Sequence, residues 1–178
     1  MSTIEPVPLI DVIVESDVWD AAPGAEATVR RALTEAAIAI GADFTNRSLV
    51  VLLTDDASMR RLNAQWRRID KPTNVLSFPP ASMPGEQTGA VKSLGDVAIA
   101  YETTAREADE QDKPFADHLS HLAVHGLLHL LGYDHDSDAA AETMEQLERA
   151  ILARLGVPDP YPPHEKAAPD HLAEAVRS

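Results

Sequence analysis

The chain is 178 residues long, with 44% hydrophobic and 25% charged residues and no cysteine, which is ordinary globular composition and room for one domain with one sizeable core. Fifteen Lys and Arg against twenty-nine Asp and Glu give a formal net charge of −14, which argues against a general nucleic-acid coat or a binder of anionic membranes. The lack of cysteine excludes disulfides, thiolate metal ligands and thiol nucleophiles and makes a reducing cytoplasm the expected home; no apolar run approaches the ~20 residues of a membrane span, and no secretory signal peptide is expected of Met1 to Val14, which hold acids, two prolines and no Lys or Arg.

Leu9 to Val14 is a β-branched run and is expected to form a strand. Val29, Leu33, Ala37 and Ile40 recur at helical spacing and predict a helix over 25–40, closed by Gly41. Ser48 to Leu53 is continuously apolar and predicts a central strand covered on both faces. Asp55 and Asp56 stand where an N-cap belongs, ahead of a helix to about Arg68 whose buried stripe is Met59, Leu62 and Trp66. Asn74 to Phe78 predicts a strand ended by Pro79 and Pro80, and Pro84 to Lys92 a turn-rich loop. Gly95 to Tyr101 predicts a strand and Thr103 to Gln111 a helix. Pro114 starts a long apolar helix to Leu131, stopped by Gly132, and a last helix runs from Ser137 or Asp138 to Leu155, ended by Gly156.

Together these elements predict an α+β fold, an α/β sandwich in which a mixed sheet of about four strands packs with about five helices. The strand order is not readable from the sequence. One domain is expected over residues 1–156. Residues 157–178 carry Pro158, Pro160, Pro162, Pro163 and Pro169 with scattered charge and are expected to be a mostly flexible tail.

Five of the seven histidines fall between His118 and His135. His125 and His129, four apart on a helix, share a face with Cβ atoms roughly 5–6 Å apart. At that separation two ring nitrogens can reach one ion at about 2.0–2.1 Å each. Gly132 can take positive φ, end the helix and turn the chain back, bringing His135 over the same ion as a third ligand. Three neutral imidazoles and one open position make the catalytic rather than the closed structural pattern for zinc, one ion per chain, although other divalent transition metals suit such a site. The metal site is thus expected on a helix of the C-terminal half and the turn after it. The spacing also matches the metzincin frame His-Glu-x-x-His-x-x-Gly-x-x-His, except that Gly126 stands where those proteases carry their general base. That departure argues against a standard protease.

His118 and His121 lie on the same helical face. His118 is too far along the axis to share the ion. His121 is read as a group behind the ligands, as an alternative ligand, or, like His118, as a partly exposed polar residue lining a cleft. Asp134 either orients an imidazole or caps the helix that begins near Ser137. Elsewhere, Arg60, Arg61, Arg67, Arg68 and Lys71 fall within twelve residues, opposed there only by Asp70. The cluster is read either as a solvated helix face or as a local basic patch.

The run from His125 to His135, HGLLHLLGYDH, together with the run from Leu62 to Pro79, LNAQWRRIDKPTNVLSFP, and the Leu94-Gly95-Asp96 strand start, resembles the YbeY family of bacterial endoribonucleases and ribosomal-RNA maturation factors. Asp159-Pro160-Tyr161 is a weaker echo. The resemblance spans about residues 9 to 161, with Trp66 where an aromatic, often Tyr, precedes the arginine. It implies an α/β metalloprotein with a zinc-like ion on His125, His129 and His135, and a catalytic arginine, Arg67, near the metal cleft. It implies single-stranded RNA as substrate and a role in maturing the 3′ end of small-subunit (16S) ribosomal RNA and in ribosome quality control. It further implies a cytoplasmic protein, with no membrane association, that meets ribosomal or ribosome-assembly proteins. Arg67 would hold the phosphate and stabilise the charge growing on it; Arg60, Arg61, Arg68 and Lys71 would steer the RNA backbone, and Trp66, if not in the core, could stack a base. The competing readings are a metallohydrolase of another substrate class and a non-catalytic ribosome-assembly factor whose metal staples the C-terminal helices.

Overall fold

In the computed structural model, which describes residues 6–80 and 91–161, the elements follow in the order β1 (Leu9–Val14), α1 (Ala25–Ile40), β2 (Arg47–Thr54), α2 (Asp56–Arg67), β3 (Val75–Phe78), β4 (Lys92–Ala100), α3 (Tyr101–Glu110), α4 (Phe115–Leu130) and α5 (Asp138–Arg154). A short 3-10 turn, Asp17–Ala21, follows β1. The four strands form one mixed sheet in the order β1-β2-β4-β3. β1, β2 and β4 run parallel, and β3 pairs antiparallel with β4 at the edge. The expected α+β sandwich is therefore present.

Side-chain alternation on the sheet sets two layers. Leu49, Val51 and Leu53 of β2 and Val97 and Ile99 of β4 are buried in one large core with Val29 and Leu33 of α1, Leu119, Leu127 and Leu128 of α4, and Ile151 and Leu152 of α5. On the opposite face Met59, Leu76, Ala98 and Ala100 form a smaller cluster under α2, with Leu52, Leu62 and Phe78 packed against it. Each large apolar side chain buried this way contributes roughly 1.5–3 kcal/mol, so the three-helix layer dominates the stability and holds α4 against the sheet.

The caps follow the local chemistry. The Asp55 carboxylate accepts from the Ser58 N–H at the start of α2, and the Ser137 hydroxyl accepts from the Ala140 N–H at the start of α5. Asp134 therefore does not cap α5; its Oδ1 accepts from the Asp136 N–H at 3.0 Å in the turn before it.

Three expectations are corrected. Trp66 does not complete the buried stripe of α2: it is 64% exposed and meets Phe78 edge to face at 5.6 Å, because α2 ends one residue later and β3 covers only its inner side. β4 starts at Lys92 rather than Gly95, since parallel pairing with β2 continues back to Arg47 opposite Lys92. Tyr101 opens α3 instead of closing the strand. Of the predicted loop from Pro84 to Lys92, residues 84–90 lie outside the described residues, as does residues 162–178 of the predicted tail.

Candidate metal centre and cleft

α4 builds the site by its 3.6-residue period. One face carries Leu119, Leu122, Leu127 and Leu128 into the core, and the other presents His118, His121, His125 and His129. His125 and His129 bring their Nε2 atoms to 3.0 Å from each other. The helix then stops: Gly132 adopts φ 98°, and the Tyr133 N–H donates back to the Leu128 carbonyl at 3.0 Å. A side chain with a Cβ would be strained in that conformation. The reversal sets the His135 ring 5.2 Å from that of His125 and 5.3 Å from that of His129, centroid to centroid. One ring nitrogen from each of the three lies within 4.8 Å of the other two. The expected convergence of His125, His129 and His135 is thus present.

Gly126 sits where α4 touches the sheet. A Cβ there would lie 2.7 and 3.1 Å from the two Cγ atoms of Val97 and 3.4 Å from Val75 Cγ2. Position 126 faces β3 and β4 rather than the cleft, so no glutamate fits, and a general base cannot come from this position.

Behind the three imidazoles stands Glu148 of α5, a residue the sequence reading missed. Its side chain is fully buried. Oε1 accepts from His125 Nδ1 at 2.7 Å, and Oε2 from His121 Nε2 at 2.6 Å and from the Tyr161 hydroxyl at 2.7 Å. Burial alone would push the Glu148 carboxyl up, but the hydrogen bonds from His121 and His125 outweigh it and hold the group at about 2. An ionised carboxylate only accepts, so each of its three partners donates. Burial and the neighbouring Glu148 charge push the Tyr161 hydroxyl well above the ordinary phenol range. A signal for Glu148 was available: it falls at helical spacing among Met144, Ile151 and Leu152, the buried stripe of α5, where an acid is out of place unless partnered.

The spacing of the three imidazoles suits a metal pocket, with a hydrogen-bond network behind it. Two nitrogens each about 2.0–2.1 Å from a tetrahedral ion stand about 3.3–3.4 Å apart. The 3.0 Å between His125 and His129 needs only a few tenths of an ångström to reach this. The Glu148 contacts at 2.6–2.7 Å are hydrogen-bond lengths, although His121, His125 and Glu148 also form a compact set of potential ligands. With the His125 proton on Nδ1, its Nε2 offers a lone pair toward His129 and His135. Burial, with the repulsion that protonated neighbours His125 and His135 would add, lowers the His129 pKa and favours its neutral, ligating form. The donor set therefore fits a zinc-like ion.

A cleft of about 480 Å³ opens in front of His125 and His129, between α4 and β3, and Arg67, Asn74, Ser77 and Pro79 line it. Arg67, the last residue of α2, is exposed and has no hydrogen-bond or ion-pair partner among the described residues. The other cationic residues do not line this cleft. Arg60 is paired with Asp70 at 2.7 and 3.1 Å, Arg61 donates to the Ser58 hydroxyl at 2.9 Å, and Arg68 and Lys71 are exposed, Arg68 as the left-handed cap of α2. His118 is not partly exposed as expected: it is 4% exposed and bonded to Glu107 at 2.9 Å, which ties α4 to α3. His118 and His121 both line a cavity as expected, a second one of about 360 Å³ that also touches His125, Glu107, Lys113 and Tyr161, and His121 is partly exposed in it.

The family model described as endoribonuclease YbeY matches residues 15–156. Among curated relatives, each bearing the name endoribonuclease YbeY, the one from Rhodopseudomonas palustris strain BisA53 is 55% identical over 169 residues, covering 93% of this chain and 96% of its own. That from strain BisB18 is 59% identical over 155 residues, covering 86% and 92%. The Bradyrhizobium diazoefficiens relative is 55% identical over 157 residues, covering 87% and 86%.

Proposed function

The chain belongs to the endoribonuclease YbeY family, and from that premise we propose that it is a zinc-dependent, single-strand-specific endoribonuclease acting in 16S ribosomal RNA 3′-end maturation and ribosome quality control. The single observation that carries this reading is the convergence of His125, His129 and His135, the first two of which line the same cleft as Arg67. These three imidazoles would hold one ion per chain and leave a position open to solvent, unlike a closed structural site. When bound, that ion supplies Lewis-acid activation of water and of a phosphoryl oxygen.

The chain's own residues do the rest. Arg67, unpartnered among the described residues, holds a phosphate in its planar fork and stabilises the charge that grows on it in the transition state. The β3 edge and the polar side chains of Asn74 and Ser77 form the opposite wall along which a single strand lies. Arg68 and Lys71, exposed beside that wall's entry helix, steer the RNA backbone, and Arg60 and Arg61 assist to the extent that their partners release them. The chain's overall net charge of −14, carried outside this basic cluster, keeps RNA confined to this region and makes binding salt-sensitive.

No helix among the described residues is long and apolar enough to cross a membrane. A cytoplasmic location and ribosomal or ribosome-assembly partners belong to the same proposal. The test is cleavage of a single-stranded RNA by metal-loaded wild type, His125→Ala and Arg67→Ala. Both variants are expected to lose most of the activity, and equal rates in all three would reject the assignment.

A further inference from the structure

We propose that Glu148 and Tyr161 are positioning residues that hold His125 in the tautomer with its proton on Nδ1, so that the Nε2 lone pair faces His129 and His135. The proposal rests on the metal reading above and adds to it two residues from outside the histidine helix and its turn.

Glu148 is the one carboxylate among the described residues that is fully buried. It occupies a position in the α5 stripe where Met144, Ile151 and Leu152 are all apolar. A role in stability alone would be served as well by an apolar side chain, because burying a charge costs more than its pairing commonly returns. What the carboxylate does instead is orient a ring. Both oxygens are used: Oε1 takes the His125 Nδ1 proton at 2.7 Å, and Oε2 is pinned by His121 and Tyr161 at 2.6 and 2.7 Å. With three donors on it the carboxylate cannot rotate, and a neutral imidazole that donates from Nδ1 carries its lone pair on Nε2. In the opposite tautomer an N–H would point into the triangle of nitrogens and exclude a cation. Carboxylates that accept from the far nitrogen of a ligating histidine fix ring orientation in just this manner.

Tyr161 closes the arrangement from the chain segment after α5. The segment folds back along that helix: Arg149 Nε donates to Asp159 Oδ1 at 3.1 Å, and the Arg149 guanidinium lies 5.4 Å over the Tyr161 ring. Tyr161 thus reaches Glu148 from a clamp of its own, and the first residues beyond the last helix become part of the site.

The experiment uses the full chain in three forms: wild type, Glu148→Gln and Tyr161→Phe. Zinc affinity is measured by competition with a chromophoric chelator, the His125 tautomer by ¹⁵N NMR on the metal-free protein, and the melting temperature of each metal-free form in parallel. Glu148→Gln is expected to bind zinc about ten- to a hundredfold more weakly, Tyr161→Phe to show a smaller loss in the same direction, and wild-type His125 to carry its proton on Nδ1. A merely structural role would lower the metal-free melting temperature and leave tautomer and affinity unchanged. Variants that bind zinc as tightly as wild type, or a metal-free wild type with the His125 proton on Nε2, would overturn the proposal. Should Glu148→Gln not fold, Tyr161→Phe and the wild-type tautomer decide. A wild type with no zinc affinity would remove the metal reading itself and this role with it, whereas zinc binding weakened in Glu148→Gln without any RNA cleavage would leave the positioning role standing and remove the nuclease.

Discussion

The Ser77 hydroxyl donates to the Gly126 carbonyl at 2.9 Å, fastening the edge strand β3 to the middle of the histidine helix. The bond is possible because α4 approaches the sheet at a residue without a side chain, and it sets the width of the cleft between the two.

Gly126→Ala is expected to destabilise the protein. In an open helix the change would gain about 1 kcal/mol in helix propensity. Here the new methyl would meet Val97 Cγ1 at 2.7 Å, on a stiff, fully buried side chain, and overpacking costs roughly 1–3 kcal/mol. The second effect wins, and the urea midpoint should fall. A midpoint equal to or above wild type would show that β3 and α4 separate freely.

The arginines differ in kind. Arg67→Ala should lower the RNA cleavage rate by roughly a hundred- to a thousandfold, about 2.7–4 kcal/mol of barrier, and Arg67→Lys should recover only part of it, since an ammonium keeps the charge but loses the fork. Arg60→Ala, already paired with an exposed Asp70, should alter stability by less than about 1 kcal/mol and activity little. Similar losses for Arg60→Ala and Arg67→Ala in steady-state kinetics would mean that charge alone matters.

Chelation should silence the nuclease without unfolding the chain. The large core that holds α4, α1 and α5 together contains none of the three converging histidines. Metal-free protein is expected to keep its far-ultraviolet circular dichroism and a cooperative melt, at a lower temperature than with zinc, because a ligand at a thousand times its Kd adds about 4.1 kcal/mol. Collapse of the spectrum in chelator would favour a stapling role for the metal.

Acid should weaken the tie between α3 and α4. Burial pushes the Glu107 carboxyl up, but hydrogen bonds from His118 and Asn74 more than offset it, and the group sits below the ordinary value of 4.5. A carboxyl depressed by folding adds stability at pH above its unfolded value, and that stability is lost as pH falls through the folded one. Wild type should therefore lose more stability than Glu107→Gln as the pH drops below about 4.5. Parallel stability curves for the two proteins across that range would deny Glu107 this role.

Secondary structure and the histidine triangle were legible because each depends on near neighbours. The bounds of β1 and α1 agree with the apolar periodicity residue for residue, and the His125–His129 pair follows from the pitch of one helix, with Gly132 as the turn. Trp66 misled the pattern: its spacing from Met59 and Leu62 fits a buried stripe, yet the sheet surface under α2 ends before reaching it.

What the order of residues determined by itself was the α+β element string and the convergence of three imidazoles within eleven residues, since helical pitch and one left-handed glycine act over a few bonds. What tertiary structure alone decided was the strand order that puts β3 at the cleft, the closeness of Gly126 to Val97, and the meeting of Glu148 and Tyr161 with His125. Those contacts join side chains on separate elements, and only the packing of α4 between the sheet and α5 brings them within hydrogen-bonding distance.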